Sequence, residues 1–411
     1  VMNTRTQMIS ASERRRARAL TSVGRVTLCC ALAALTAVSA YATPREQAKR
    51  IHERLTGIAP TDSVLTAMQS DVAGGNATAA AMTAMQAPTF YTVTLKNFVT
   101  PWTNRDQTVF APLNDYTATV IGMVRDDVPF NTVLSADIIY TGRGGLAGVP
   151  AYSAANNDHY AALESQNVNL ASTTDFIRQT QSALSGIPAA ATAGIITTRA
   201  AAEAFFIAGT NRAMFRFTLM NHLCRDMEQV LDTSRPPDRI RQDVSRSPGG
   251  DARIFLNNCI GCHSGMDPMA QAFAFYTYDE AAGRIVYSAG TVQPKYFNND
   301  DTFPFGFITP NENWENRWRA GQNALLGWSG SLPGSGSGAK SLGEELAGSN
   351  AFAQCHVEKV FRNVCLRAPV DIAGGVSPDR AAVNSMVSSF RSSGFRLKQV
   401  FAEAAAYCMG D

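Results

Sequence analysis

The run Cys259-Ile260-Gly261-Cys262-His263 constrains this chain more than any other feature. Thiols three positions apart share one turn of a helix, and the next residue projects an imidazole from the same turn. Two sulfurs so placed can each add to a vinyl group of one flat macrocycle, while the imidazole reaches a metal at its centre. C-x-x-C-H is accordingly the attachment signature of c-type haem, with Cys259 and Cys262 as anchors and His263 as proximal iron ligand. A redox dithiol would follow a strand in a thioredoxin-like setting, which the flanking sequence lacks. A zinc site would need a second ligand pair, and the chain has no second C-x-x-C and no H-x-x-x-H. Residues 251–258 read as a short helix opened by Gly249-Gly250, with Phe255 on the same face as Cys259.

Haem of this kind is attached after export, and residues 1–42 read as a secretory signal peptide. Arg14-Arg15-Arg16-Ala17-Arg18 is a positive leader segment, Val26 to Ala42 is apolar and uncharged, and Ala40-Tyr41-Ala42 is a cleavage signature. The apolar stretch is shorter than the roughly 20 residues a membrane helix needs, so no integral membrane segment is expected after cleavage. The expected location is periplasmic or otherwise exported. The formal net charge of the 411 residues is +2, but six of the 36 basic residues and one of the 34 acidic residues lie in 1–42. The remainder is slightly acidic, which implies no nucleic-acid-binding surface.

The iron's sixth position could be filled by His or Met, or left open. Ligand backbones on opposite haem faces lie roughly 12 Å apart, whereas three extended residues span at most about 10 Å. Met266 is thereby excluded, and Met269 is disfavoured because Asp267-Pro268 reads as a bend ending the haem helix. The remote candidates are His222, with Met409, His356 and Met386 as alternatives. His222 is preferred because Cys224 can tether its helix. His52 and His159 read as exposed.

Outside the leader and the haem motif, Cys224, Cys355, Cys365 and Cys408 remain, and export favours disulfides. Cys355 and Cys365 fall on one expected helix, Ser349 to Leu366. Ten residues at 1.5 Å rise hold them about 15 Å apart, beyond the roughly 7 Å limit for a bridge. Each should therefore pair with Cys224 or Cys408.

The pattern predicts a mainly α chain. It divides into the leader (1–42), a helical N-terminal region (43–245) and a cytochrome c-like helical haem domain with a small β-hairpin (246–411). Helices are expected over Arg45–Leu55, over Asp62–Ala73 and in an Ala/Met-rich segment to Met85. Thr89–Val99 alternates enough for a strand or starts a helix. Thr197–Ile207 and Asn211–Val230 follow, the second capped by Thr210. Arg235 to Gly250 reads as a hinge. Phe273–Tyr278 and Arg284–Tyr287 read as a hairpin. Phe303 to Trp328 is aromatic-rich and irregular, and its tryptophans could wall a haem pocket. Ser349 and Ser377-Pro378 should start two of three closing helices, the last carrying Leu397, Val400, Phe401, Ala404 and Cys408 on one stripe.

The second half resembles the haem-containing regions of uncharacterised planctomycete-type cytochrome c proteins. The matching pieces are Cys259 to Pro268 (C-x-x-C-H-x-x-M-D-P), Phe273-Ala274-Phe275, Asp279, and Phe352-Ala353-Gln354-Cys355 through Val360-Phe361; Asn131 to Asp137 matches a segment upstream. The resemblance implies one covalent haem c and a helical fold and names no substrate. The expected function is an exported monohaem c-type cytochrome passing single electrons to or from a periplasmic redox partner protein. Its rivals are a peroxidase- or oxidase-like haem enzyme with an open iron site, and a haem-containing subunit of a larger complex. The usual bacterial dihaem peroxidase carries two attachment motifs, and this chain has one.

Overall fold

A computed structural model describes residues 42–207, 211–239, 252–294 and 307–410. The leader up to residue 41, Thr210, the Phe255 side chain, most of the expected hinge (240–251) and residues 303–306 lie outside the described residues. The described chain is mainly helical, with three small two-stranded antiparallel sheets.

The first three helices are α1 (Pro44–Thr56), α2 (Asp62–Ala73) and α3 (Ala77–Ala84). In α1, Ala48, Ile51, His52 and Leu55 recur at helical spacing and are buried together. Thr61 starts α2 by accepting from the Val64 amide, and Asn76 does the same for α3 through Ala79. The three pack on one another, and α1 and α3 also pack on α12 (Leu397–Tyr407), near the chain's other end. Thr89–Val99 resolves as helix, a π-turn over Phe90–Leu95 running into Lys96–Val99. Phe90, Tyr91, Leu95 and Phe98 thereby all reach the core, which a strand's alternation would not allow.

Helix α4 (Asp115–Arg125) is buried along its whole length. The strand pair β1 (Ile139–Gly142) and β2 (Phe176–Gln179) lies beside it. Gly122 makes this contact possible, since a Cβ there would sit 2.1 Å from the Tyr140 ring. Helix α5 (Arg199–Phe205) is capped by Thr198, and the buried Asp115 carboxylate accepts from the Arg199 and Ala200 amides.

Helix α6 (Arg212–His222) stops eight residues before the expected Val230. Cys224 adopts φ 53°, a left-handed backbone, and is drawn into a bridge with Cys355. Met227–Gln229 then forms a separate 3-10 turn with its own capping box at Asp226.

Helices α7 (Ala252–Asn258) and α8 (Ile260–Ala270) flank Cys259, and α8 carries Cys262 and His263. The expected bend at Asp267-Pro268 is absent, and Pro268 lies inside α8. Pro268 has no amide to give to the Ser264 carbonyl, but its side chain is buried and the last turn persists. The expected hairpin forms as β3 (Tyr276–Asp279) and β4 (Arg284–Tyr287), with Tyr276 opposite Tyr287. A further pair, β5 (Asn313–Glu315) and β6 (Ser335–Ser337), draws its second strand from the Gly/Ser-rich tract.

The closing helices are α9 (Gly338–Ala347), α10 (Asn350–Cys365), α11 (Pro378–Ser392) and α12. Ser349 and Ser377 cap α10 and α11 as expected. The disulfides are Cys224–Cys355 and Cys365–Cys408, with Cα separations of 5.2 and 5.4 Å. The pairing excluded by helix rise is therefore not used.

Residues 44–409 form one compact unit with one main core. The expected boundary at 245/246 does not separate two cores. Among the closing helices, α10 packs on α1, and α12 packs on α1, α3 and α4, so neither half buries its own surface alone. Among the described residues, no helix is long and apolar enough to cross a membrane.

Candidate functional site

The two thiols sit where a helix begins. Cys259 precedes the first residue of α8, and its carbonyl accepts from the amides of Cys262 and His263, both at 3.2 Å. One turn therefore carries both sulfurs and the imidazole. Cys259 and Cys262 are unbridged and half-buried, whereas the other four cysteines among the described residues are paired. Burial pushes the Cys262 thiol pKa up, with Cys259, Glu228 and Asp226 adding to the effect.

The opposite side of α8 is packed tightly. Gly261 lies against Leu231 and Thr233, and Ser264 donates to the Asp232 carbonyl at 2.9 Å. A Cβ at Gly265 would fall 1.9 Å from Nε1 of Trp318, so only glycine admits the indole. Trp318 is itself fully buried. Asn316 holds its amide at 3.0 Å and donates to Glu345, which also receives Arg319. Of the tryptophans expected near the motif, Trp318 packs on this helix. Trp314 donates instead to Ser341, and Trp328 to the Trp318 carbonyl.

His263 Nδ1 lies 3.0 Å from Oδ2 of Asp267, one helical turn on. Arg212 reaches across from α6 and donates to both Asp267 oxygens at 3.1 Å. Asp267 is 1% exposed. Burial alone would raise its pKa, but Arg212 and His263 outweigh that and hold it well below the usual carboxylate range. The carboxylate is therefore charged, and it faces Nδ1 of His263. Arg212 is fixed by its neighbour Asn211, whose buried amide donates to the Phe273 and Tyr276 carbonyls at 2.9 and 2.8 Å.

This donor set suits a covalently held macrocycle with one axial imidazole. Among the described residues, no cluster of three or more metal-ligating side chains occurs. Asp267 and Arg212 were missed in the sequence. The histidine–carboxylate spacing of four within a helix was a readable signal. Arg212, 55 residues upstream, gave none.

The remote ligand candidates are placed otherwise. His222 and His356 meet each other in the core, with Nδ1 of the first 3.2 Å from Nε2 of the second. His222 Nε2 is also 2.9 Å from the Tyr116 hydroxyl, so both its nitrogens are engaged. Trp102, Phe130 and Phe352 rings enclose the pair. Burial keeps the pKa of both imidazoles well below the ordinary histidine value, with Lys359 adding to the effect. Met386 is a core residue of α11, and Met409 packs partly buried against the core while its carbonyl receives Arg50. None of the four is held beside α8 by a described contact.

His52 and His159, expected at the surface, are buried. His52 Nδ1 lies 2.9 Å from the Ile58 carbonyl. His159 Nδ1 lies 2.7 Å from the Pro150 carbonyl, and its Nε2 accepts from the Gly142 amide. Each fastens a loop to its helix.

Comparison of the chain with protein-family models, curated proteins and solved structures returns no match in any of the three.

Proposed function

We propose that this chain is an exported monohaem c-type cytochrome that passes single electrons to or from a partner protein. The carrying observation is the first turn of α8. With Cys259 just before it, that turn brings together two unbridged thiols and an imidazole whose Nδ1 faces a buried carboxylate, in a chain whose other described cysteines are all bridged. Cys259 and Cys262 would hold the group by thioethers, and His263 would ligate through Nε2. When bound, haem c supplies a one-electron iron couple tuned by axial ligation and burial. Asp267 keeps a proton at His263 Nδ1. Trp318 packs on Gly265, and Leu231 and Thr233 pack on Gly261, which braces α8. The disulfides are compatible with export, and the family resemblance favours the same reading.

A second reading, a haem enzyme with an open iron site, draws on the engagement of His222 and His356 with each other. Spectra of the reduced, exported protein with and without carbon monoxide decide between them. A six-coordinate spectrum that carbon monoxide leaves unchanged is expected of the carrier. Rapid carbon monoxide binding would overturn the carrier in favour of the enzyme.

A further inference from the structure

The group that His263 faces is a buried carboxylate, where a neutral backbone carbonyl would have satisfied the same ring nitrogen. The contact is 3.0 Å long, and the carboxylate is 1% exposed. Its charge is shared with a guanidinium clamped on both oxygens from a different helix. Asn211 locks the start of that helix to the segment after α8, so the three groups are held by two elements that cannot slide apart freely. A charge-assisted hydrogen bond is roughly twice as strong as a neutral one. It draws the Nδ1 proton toward oxygen and leaves more electron density on Nε2.

We propose that Asp267, moderated by Arg212, is a positioning residue that sets the donor strength of His263 and thereby the potential of the iron it holds. The proposal rests on the haem reading above. A stronger imidazole donor favours the ferric form. Arg212 withdraws part of the carboxylate's charge and limits that preference. The two side chains therefore act in opposite directions on one nitrogen.

The test uses the full exported chain, its midpoint potential and its haem stain. Asp267→Asn replaces the charged acceptor by a neutral amide. It should raise the ferrous-to-ferric ratio about tenfold at a fixed ambient potential, which is about 59 mV for one electron. Arg212→Lys keeps the charge but breaks the two-point clamp, and it should shift the potential the other way. Asp232→Asn is the charge control, because Asp232 is buried beside α8 and its carboxylate bonds Ser234 and not His263. A shift in Asp267→Asn well beyond that of Asp232→Asn supports the proposal. Equal shifts, or no shift in either Asp267→Asn or Arg212→Lys, overturn it. The haem-free chain gives an independent readout, since the Nδ1 proton of His263 should resonate far downfield and lose that position in Asp267→Asn. A wild-type chain that takes no haem overturns the underlying reading instead, which the stain reveals directly.

Discussion

Lys359 offers a quantitative check on the core that joins the two halves of the sequence. Its Nζ donates to the Asn221 carbonyl at 2.6 Å and lies 4.3 Å from the Trp102 ring centre. Burial, with Arg362 adding to it, lowers its pKa from 10.5 to about 7. A lysine whose folded pKa is depressed leaves the unfolded chain holding a proton that the folded chain lacks. Folding stability therefore rises with pH between the two values, at about 1.4 kcal/mol per pH unit for one proton. Lys359→Met keeps the apolar stem against Trp102 and removes the titration. From pH 7 to pH 10, wild-type stability should gain roughly 3 to 4 kcal/mol relative to the variant. The lost bond to Asn221 shifts the variant's whole curve without changing its slope, and the remaining groups titrate in both chains. Urea unfolding followed by circular dichroism at each pH measures the difference. Parallel stability curves across that range would refute the reasoning.

Two further predictions concern neighbouring groups. His222 and His356 stay neutral when folded, so stability should fall as pH drops below about 6.5, where the unfolded imidazoles take up protons. His356→Leu should reduce that acid slope by about 1.4 kcal/mol per pH unit, measured by urea midpoints between pH 6 and pH 5. Gly265→Ala puts a methyl into the Trp318 indole and should cost about 1 to 3 kcal/mol, as overpacking of a tight contact does. Thermal unfolding with tryptophan fluorescence checks it, and an unchanged midpoint would mean that the contact is loose.

Local signals in the sequence carried far. The Ser349 and Ser377-Pro378 starts, the 276–287 hairpin and the barred Cys355–Cys365 pairing all depend on neighbours within one or two turns. Longer-range effects were not legible. Nothing local foretold that β1 would find β2 across more than 30 residues, because both strands are only four residues long. The tract Gly334 to Gly338 is low in complexity, yet a Cβ at Gly336 would fall 2.7 Å from the Ser341 hydroxyl and 3.0 Å from the Trp314 ring. The end of α6 is set by the Cys224 backbone and its distant bridge, not by local propensity. His52 was misread although its spacing with Ala48, Ile51 and Leu55 already placed it on the buried stripe of α1. At the motif, the thiols and His263 were plain from spacing alone. The Asp267–Arg212 support was hidden because Asp267-Pro268 resembles a turn and Arg212 arrives through tertiary packing.

Covalent attachment is read from haem retention under denaturing conditions. The full chain, exported in a host with the haem-attachment machinery, should keep a haem stain on a denaturing gel and add the mass of one haem. The Cys259→Ala, Cys262→Ala double variant should lose both signals. A wild-type chain that emerges unstained, or whose colour is removed by acid extraction, would contradict the account.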